Sequence, residues 1–459
     1  MPAECSAGPF GFGTVEGRSV VAAFDGGAVT SDAGALLLGA TDRAIRLVER
    51  FAACFVDGRD ATRVEHAVPT MVGQRVVAIA LGYEDLIDHD RLRHDPVLAI
   101  LAGKLEARRV ACAPLAGKST LNRLEHGTAG TDRYRKIGHD GAAIERLLVD
   151  LFLDAHRTPP KRIVLDLDAT DDPLHGRQEG RFFHGYYGCH CYLPLYVFCG
   201  RHLLVAKLRR SNIDASAGAL EEVDRIVGQI RQRWPRVRIL LRADSGFARE
   251  ALMSWCEAKR VDYVFGLARN ARLEDAVATE LARAEAASRQ TGASARIFKE
   301  LRWSTLDSWS RKRRVIAKAE WTHGGPNPRF IVTSLKLPEI DGRQLYETVY
   351  CARGEAENRI KECQLDLFAD RTSAATMRAN QLRLWFASMA YVLLCALRRI
   401  GLAHTQFATA TCSTIRLRLL KIGALVRTSC RRIKLAMASG FPGQPEFALA
   451  YLRLIRAAF

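Results

Sequence analysis

The segment Arg162–Thr170, RIVLDLDAT, alternates apolar and polar side chains, and a turn-forming Asp171, Asp172, Pro173 follows it. Successive side chains of a strand point to opposite faces, so Ile163, Leu165 and Leu167 share one face and Asp166, Asp168 and Thr170 the other. Two acids therefore compete for one role. Thr170 and the turn beyond it put the more exposed acid at Asp168.

Downstream, Tyr192–Cys199 (YLPLYVFC) and Leu203–Arg209 (LLVAKLR) read as two more strands joined by a tight turn at Gly200. Within Ala217–Trp234, Leu220, Val223, Ile226, Val227 and Ile230 recur at helical spacing. Val237–Asp244 (VRILLRAD) is a buried strand ending in an acid, a helix covers Ala248–Ala258, and Val261–Leu267 (VDYVFGL) is a further strand. Strand, strand, strand, helix, strand, helix, strand describes an α/β layer with a mixed sheet, an order similar to that of the ribonuclease-H-like fold. In that fold the fourth strand lies beside the first, so Asp168 and Asp244 are expected to converge at neighbouring strand ends. The blander reading of Asp244, before Ser245-Gly246-Phe247, is a turn cap.

Helical pattern continues to about Ser288. Strand-like runs then follow at Ala295–Trp303, Arg313–Trp321 and Arg329–Leu335, separated by STLDSWSRK and HGGPNP, so an inserted antiparallel β unit is expected over 271–344. Beyond it, Tyr350–Gln364 reads YCARGEAENRIKECQ. At about 100° per residue Tyr350, Arg353, Glu357, Lys361 and Gln364 fall on one narrow helical face, and Glu355 does not. Such a stripe alone is more often a solvated face of charge pairs. With two strand-end aspartates upstream, Glu357 completes a trio of carboxylates. Three rigidly held carboxylates can bind two Mg²⁺ ions, or Mn²⁺ as a substitute, roughly 4 Å apart for phosphoryl transfer. Oxygen donors suit those ions better than Zn²⁺.

The chain has 459 residues, 48% of them hydrophobic, enough for two or three domains with real cores. Lys+Arg 68 against Asp+Glu 50 gives a formal net charge of +18, which favours a polyanionic partner, nucleic acid first. Twelve cysteines scattered from Cys5 to Cys430 form no framework and read as reduced thiols of a cytoplasmic protein. The start, MPAECSAGPFGFG, lacks the pattern of a secretory signal. The apolar run Leu384–Leu397 is shorter than the roughly 20 residues a bilayer requires, so no membrane is expected.

Residues 1–155 read as mainly helical, with candidates at Ser31–Phe55 (capped by Ser31 or Asp32), Met71–Leu86 and Pro96–Lys104, in a region suited to binding DNA ends or to scaffolding. Ala113–Thr120, APLAGKST, ends like a phosphate-binding loop, but Cys112 stands where that loop needs glycine. Cys189, His190 and Cys191, with His184 and His202 nearby, lack a second cysteine pair at zinc spacing and read as core. His175, Gln178 and Arg181 either touch DNA or order the loop after the first acid. The core is expected at 156–270, closed by 345–400 with the helix of Glu357, and 401–459 as a basic helical tail.

LDLDATDD, RADSGF and YCARGEAENRIKE resemble the three acidic motifs of bacterial insertion-sequence transposases of the DDE class, in the cut-and-paste group with a β insertion before the final glutamate. That group's last motif is similar to Tyr, two residues, Arg, three residues, Glu, then Lys seven positions on. Tyr350, Arg353 and Glu357 match it, whereas Gln364 holds the lysine position and Lys361 is one turn earlier. The resemblance covers about 160–400. It implies cleavage at terminal inverted repeats, joining of the freed 3′ ends to target DNA, and a homodimer or higher homo-oligomer on the DNA. It also implies that Asp168, Asp244 and Glu357 hold the metals, that Tyr350, Arg353, Lys361 and Gln364 lie along the DNA, and that a tryptophan of the insertion, from Trp303, Trp309 and Trp321, stacks on a flipped base.

Overall fold

In the computed structural model, which describes residues 9–127 and 136–458, the face that carries Ile163, Leu165 and Leu167 is buried as its alternation requires. These residues sit on β1 (Arg162–Ala169) and share one hydrophobic core with Val223, Ile226, Val227 and Ile230 of α1 (Ala219–Arg233). Each such side chain contributes about 1.5–3 kcal/mol by leaving water. The chain divides into two compact units, Met1–Gly138 with Ala396–Phe459 and His139–Cys395.

The second unit is built on one sheet. Its strands are β1, β2 (Leu195–Cys199), β3 (His202–Lys207), β4 (Arg238–Ala243), β5 (Asp262–Leu267), β6 (Ala295–Trp303), β7 (Arg313–Thr322) and β8 (Arg329–Thr333), in the order β3-β2-β1-β4-β5-β8-β7-β6, with a short Gly325–Pro326 strand beside β7. β4 lies parallel between β1 and β5, and the remaining pairs along this path are antiparallel. The mixed sheet and the neighbourhood of first and fourth strands are those of the expected ribonuclease-H-like order. The inserted strands are antiparallel, and they extend this sheet instead of forming a layer of their own, because β8 pairs directly with β5. Helix α2 (Glu250–Ala258) and α3 (Ala278–Thr291) follow β4 and β5. The run Leu384–Leu397 lies in α5 (Met377–Ile400) and is mostly buried, with the Tyr391 ring edge-on to Phe198 of β2. No helix among the described residues is long and apolar enough to cross a membrane.

Three local expectations change. Tyr192–Cys199 is two strands: Pro194 has no N–H for the ladder, so Cys189–Tyr192 separates from β2 and joins Asp172–Pro173 and Phe182–His184 in a small sheet. Ser31–Phe55 is not one helix. It is a 3₁₀ turn (Ala33–Ala35) and the helices Leu36–Ile45 and Leu47–Ala52, broken at Arg46 with φ 53°, where the Asp42 carboxylate accepts the Val48 N–H at 2.8 Å. Asp32 caps nothing through its side chain and instead accepts from Tyr83 and Lys421. The tail is not wholly helical either. A hairpin of β9 (Ala424–Ser429) and β10 (Arg432–Met437) precedes the last helix, Gln444–Ala457, because Val426, Thr428, Ile433 and Leu435 alternate with cations at the period of a strand.

Candidate active site

Asp168 is the penultimate residue of β1, and Asp244 directly follows β4. Parallel pairing of these strands in register from Arg162↔Arg238 to Leu167↔Ala243 brings both acids to the same end of the sheet. Asp244 also caps the next turn, its carboxylate accepting the Gly246 N–H at 2.9 Å, so the bland reading and the site position hold together. Glu357 comes from α4 (Gly354–Lys361), in its first turn.

Arg353 joins them. Its guanidinium donates to Asp168 at 3.2 Å and pairs with Glu357 at 2.5 Å. Burial pushes the Asp168 carboxyl up to about 7; Arg353 pulls it back, while the negative charges of Asp244 and Glu357 push it further up. One guanidinium thus fails to balance three acids, one of which, Asp168, is withdrawn from water. Burial also raises the Tyr350 phenol, with Arg353 lowering it and Asp244 raising it, so its hydroxyl belongs to the same cluster. That hydroxyl lies so close to the sheet that a Cβ on Gly266 would stand 2.6 Å from it and 2.8 Å from the Ser245 nitrogen. Gly266 is what lets β5 pass beneath the site.

Asp166, the rival acid, is consumed elsewhere. It is buried and accepts both arms of Arg242, at 2.5 and 2.8 Å, and Arg242 also donates to the Val349 carbonyl, tying β4 to the segment that leads into α4.

The remaining stripe residues part company. Lys361 is exposed, whereas Gln364 donates to the Asp171 carbonyl at 3.0 Å and to Asp172 at 2.8 Å. Asp172 is fully buried, and burial pushes its carboxyl up to about 8 with Gln364 lowering it. A neutral amide is the fitting partner for a carboxyl held near neutrality. Two π-helical stretches, Leu345–Tyr350 and Glu362–Asp366, flank the Glu357 segment and shift the stripe away from ideal helical spacing.

The tryptophans separate by register. Ala243 pairs with Phe265, Phe265 with Val332, Val332 with Val315 and Val315 with Leu301, so Trp303, two positions past Leu301 and paired with Arg313, is level with the middle of β4. Trp309 is core, and Trp303 is half-buried beneath the Arg272 guanidinium at 4.6 Å. Trp321, paired with Ala295, lies toward the acidic end. Sequence reading missed a nearer aromatic: Tyr187, in the turn between Phe182–His184 and Cys189–Tyr192, is held neutral by burial and by Asp171, Asp168 and Asp244, beside the exposed Tyr186. Its signal was the alternation in the FFH and CHCY runs. Gln178 and Arg181 order their loop, donating to the Thr372 and Gly176 carbonyls. At the APLAGKST decoy, Asp90 accepts the Lys118 N–H at 3.0 Å, so the helix N-terminus already holds an internal anion. All cysteines among the described residues are free thiols; Cys5 lies outside those residues.

A family model described as transposase DDE domain group 1 matches residues 12–458. The chain belongs to that family. The match reaches far beyond 160–400, the span of the three motifs, so the N-terminal and C-terminal regions of this DDE transposase are part of the family pattern too. No curated protein matches the chain. Among solved structures, it is similar to piggyBac transposase in a synaptic complex with hairpin DNA, at 10% identity and a TM-score of 0.39, over 85% of this chain and 80% of that one. DDE transposases act on DNA with divalent metal ions, and the oxygen donors here suit such an ion: Asp168 is 13% exposed and surrounded by surplus negative charge. Among the described residues no three ligands are drawn into one metal sphere, since Arg353 stands between Asp168 and Glu357.

Proposed function

We propose that the protein is the transposase of a bacterial insertion sequence, which cleaves DNA at terminal inverted repeats and joins the 3′ ends to target DNA in the cytoplasm. Asp168, Asp244 and Glu357 are the catalytic and metal-holding residues. The observation that carries this reading is the meeting of two adjacent strand-end aspartates with a helix-borne glutamate around one arginine. Two Mg²⁺ ions, or Mn²⁺, held by the three carboxylates would supply an activated water and stabilise the leaving oxygen.

The chain's own residues supply the rest. Arg353 keeps Asp168 and Glu357 oriented and is positioned to share its charge with a backbone phosphate. Tyr350 offers a neutral hydroxyl beside the acids. Lys361, exposed and one turn beyond Glu357, takes the phosphate-contacting role that the motif gives to a lysine, while Gln364 positions the loop after β1 through Asp172. Trp321 is the tryptophan of the insertion suited to stacking on a base. Acting on two ends requires a homodimer or higher homo-oligomer.

The test is excision from a plasmid bearing the matching terminal repeats, with Mg²⁺. Double-strand breaks and integrated product are expected. Cleavage without joining would leave a nuclease, and binding alone would overturn the catalytic assignment.

A further inference from the structure

The C-terminal hairpin carries charge for which the described residues offer no partner. In β9 and β10 the register pairs Arg427 with Lys434 and Ser429 with Arg432, on one face, with Arg431 in the two-residue turn. All four cations are exposed, and none makes an ion pair or side-chain hydrogen bond among the described residues. The other face holds Val426, Thr428, Ile433 and Leu435, and the hairpin's base packs on Ala33, Ile422 and Phe441 while Val29–Thr30 adds a third strand. An anchored base thus presents a cationic tip.

Two features run against stability alone. Like charges directly opposite each other across a pair of strands destabilise it, and Arg427 faces Lys434. Nearby acids are lacking as well: no Asp or Glu occurs between Asp370 and Glu446. A surface that only needed solubility would mix signs.

We infer that this ribbon is a docking element for duplex DNA, gripping the sugar–phosphate backbone without regard to sequence. The inference rests on the transposase reading only for its choice of polyanion. Three of the four cations are arginines, whose planar fork matches phosphate oxygens, and a two-stranded ribbon is of a size that the major groove admits. On the ribbon's other face Val426 is buried, Leu435 packs on the Ala33 cluster and Thr428 is an exposed hydroxyl, so the ribbon offers no continuous apolar face to a membrane surface.

The test uses the full chain, a random-sequence duplex of about 30 base pairs and a chelator, so that cutting plays no part. Fluorescence anisotropy over a salt series gives the slope of log affinity against log salt. For R427Q/R431Q/R432Q/K434Q the slope should become shallower by about 2 to 3.6, since each phosphate contact contributes about 0.9, with binding tens- to a hundred-fold weaker at physiological salt. Thermal melting at or above the parent's is expected, because cross-strand repulsion is removed. R427K/R431K/R432K should keep the parent slope. If the fourfold variant fails to fold, R432Q alone should lower the slope by about 0.9.

A parent-like slope in the folded fourfold variant overturns the proposal. So does loss of binding to phosphatidylserine vesicles or an acidic peptide with duplex affinity intact. If excision fails while the ribbon variants shift the slope, the catalytic reading falls and the docking element stands. Excision with an unchanged slope gives the reverse.

Discussion

Two clusters on the sheet of the second unit each combine one arginine with two acids, yet they are electrostatic opposites. In the first, Arg313 is 2% exposed and pairs with Glu250 at 2.6 Å and Glu257 at 2.7 Å. Ser254, Ser310 and Tyr263 add hydroxyl donors, and although burial opposes it, Glu250 is held down to about 2. In the second, Arg353 serves Asp168 and Glu357 with Asp244 close by, and Asp168 is pushed up to about 7. Composition does not distinguish the two. What differs is the count of donors against acids: the Arg313 cluster is complete in itself, and the Arg353 cluster retains unmet negative charge, the condition that favours a bound cation.

The largest effects should come from breaking the unbalanced cluster. Asp168→Asn, Asp244→Asn or Glu357→Gln is expected to reduce plasmid excision by about a thousand-fold or more while end binding and thermal stability persist. Any one of them cutting at the parental rate would remove that residue from the site. In the balanced cluster the outcome should invert. Arg313→Met leaves two acids without their cation and is expected to cost about 3 kcal/mol in urea unfolding, with cleavage per folded molecule unchanged.

The same contrast has a pH signature. The Glu250 carboxyl lies below its ordinary 4.5 in the folded protein, so its contribution is fully present above pH 4.5 and is lost as pH falls toward about 2. Urea midpoints measured down through that window should fall for the parent and lose much of this slope in Arg313→Met. A smaller effect separates the two stripe residues. Gln364→Ala should cost about 1–2 kcal/mol by stripping Asp172 of its donor, whereas Lys361→Ala should leave stability unchanged and weaken end binding. Equal melting of the two variants would refute that division. Last, Trp321→Ala should lower excision several-fold and Trp303→Ala should not, since Trp303 is packed against the core with Arg272 over its ring.

The two strand-end aspartates were legible because strand alternation and strand-end position are local properties, visible in LDLDAT and RAD. What sets Asp166 apart from Asp168, its capture by Arg242 from the neighbouring strand, is a contact across 76 positions of sequence. Gln364 was read through a motif with a lysine, and only the folded loop reveals buried Asp172 as its partner. The C-terminal hairpin was hidden by its cations, which drew attention from the period-two alternation of Val426, Thr428, Ile433 and Leu435. The tryptophans failed to separate because composition carries no register.

The tie between Arg353 and Asp168 spans 185 positions, with the whole β insertion intervening. During synthesis at about 5–20 residues per second, the strand bearing Asp168 emerges roughly 10–40 seconds before its arginine, and the contact forms late because closing so long a loop is slow. Both strand-end aspartates can be in place well before the glutamate exists. A nascent chain is therefore without the proposed carboxylate set until the entire sheet has been made, and on that proposal it stays disarmed at the ribosome; release of a chain ending at Asp341 should accordingly give no excision.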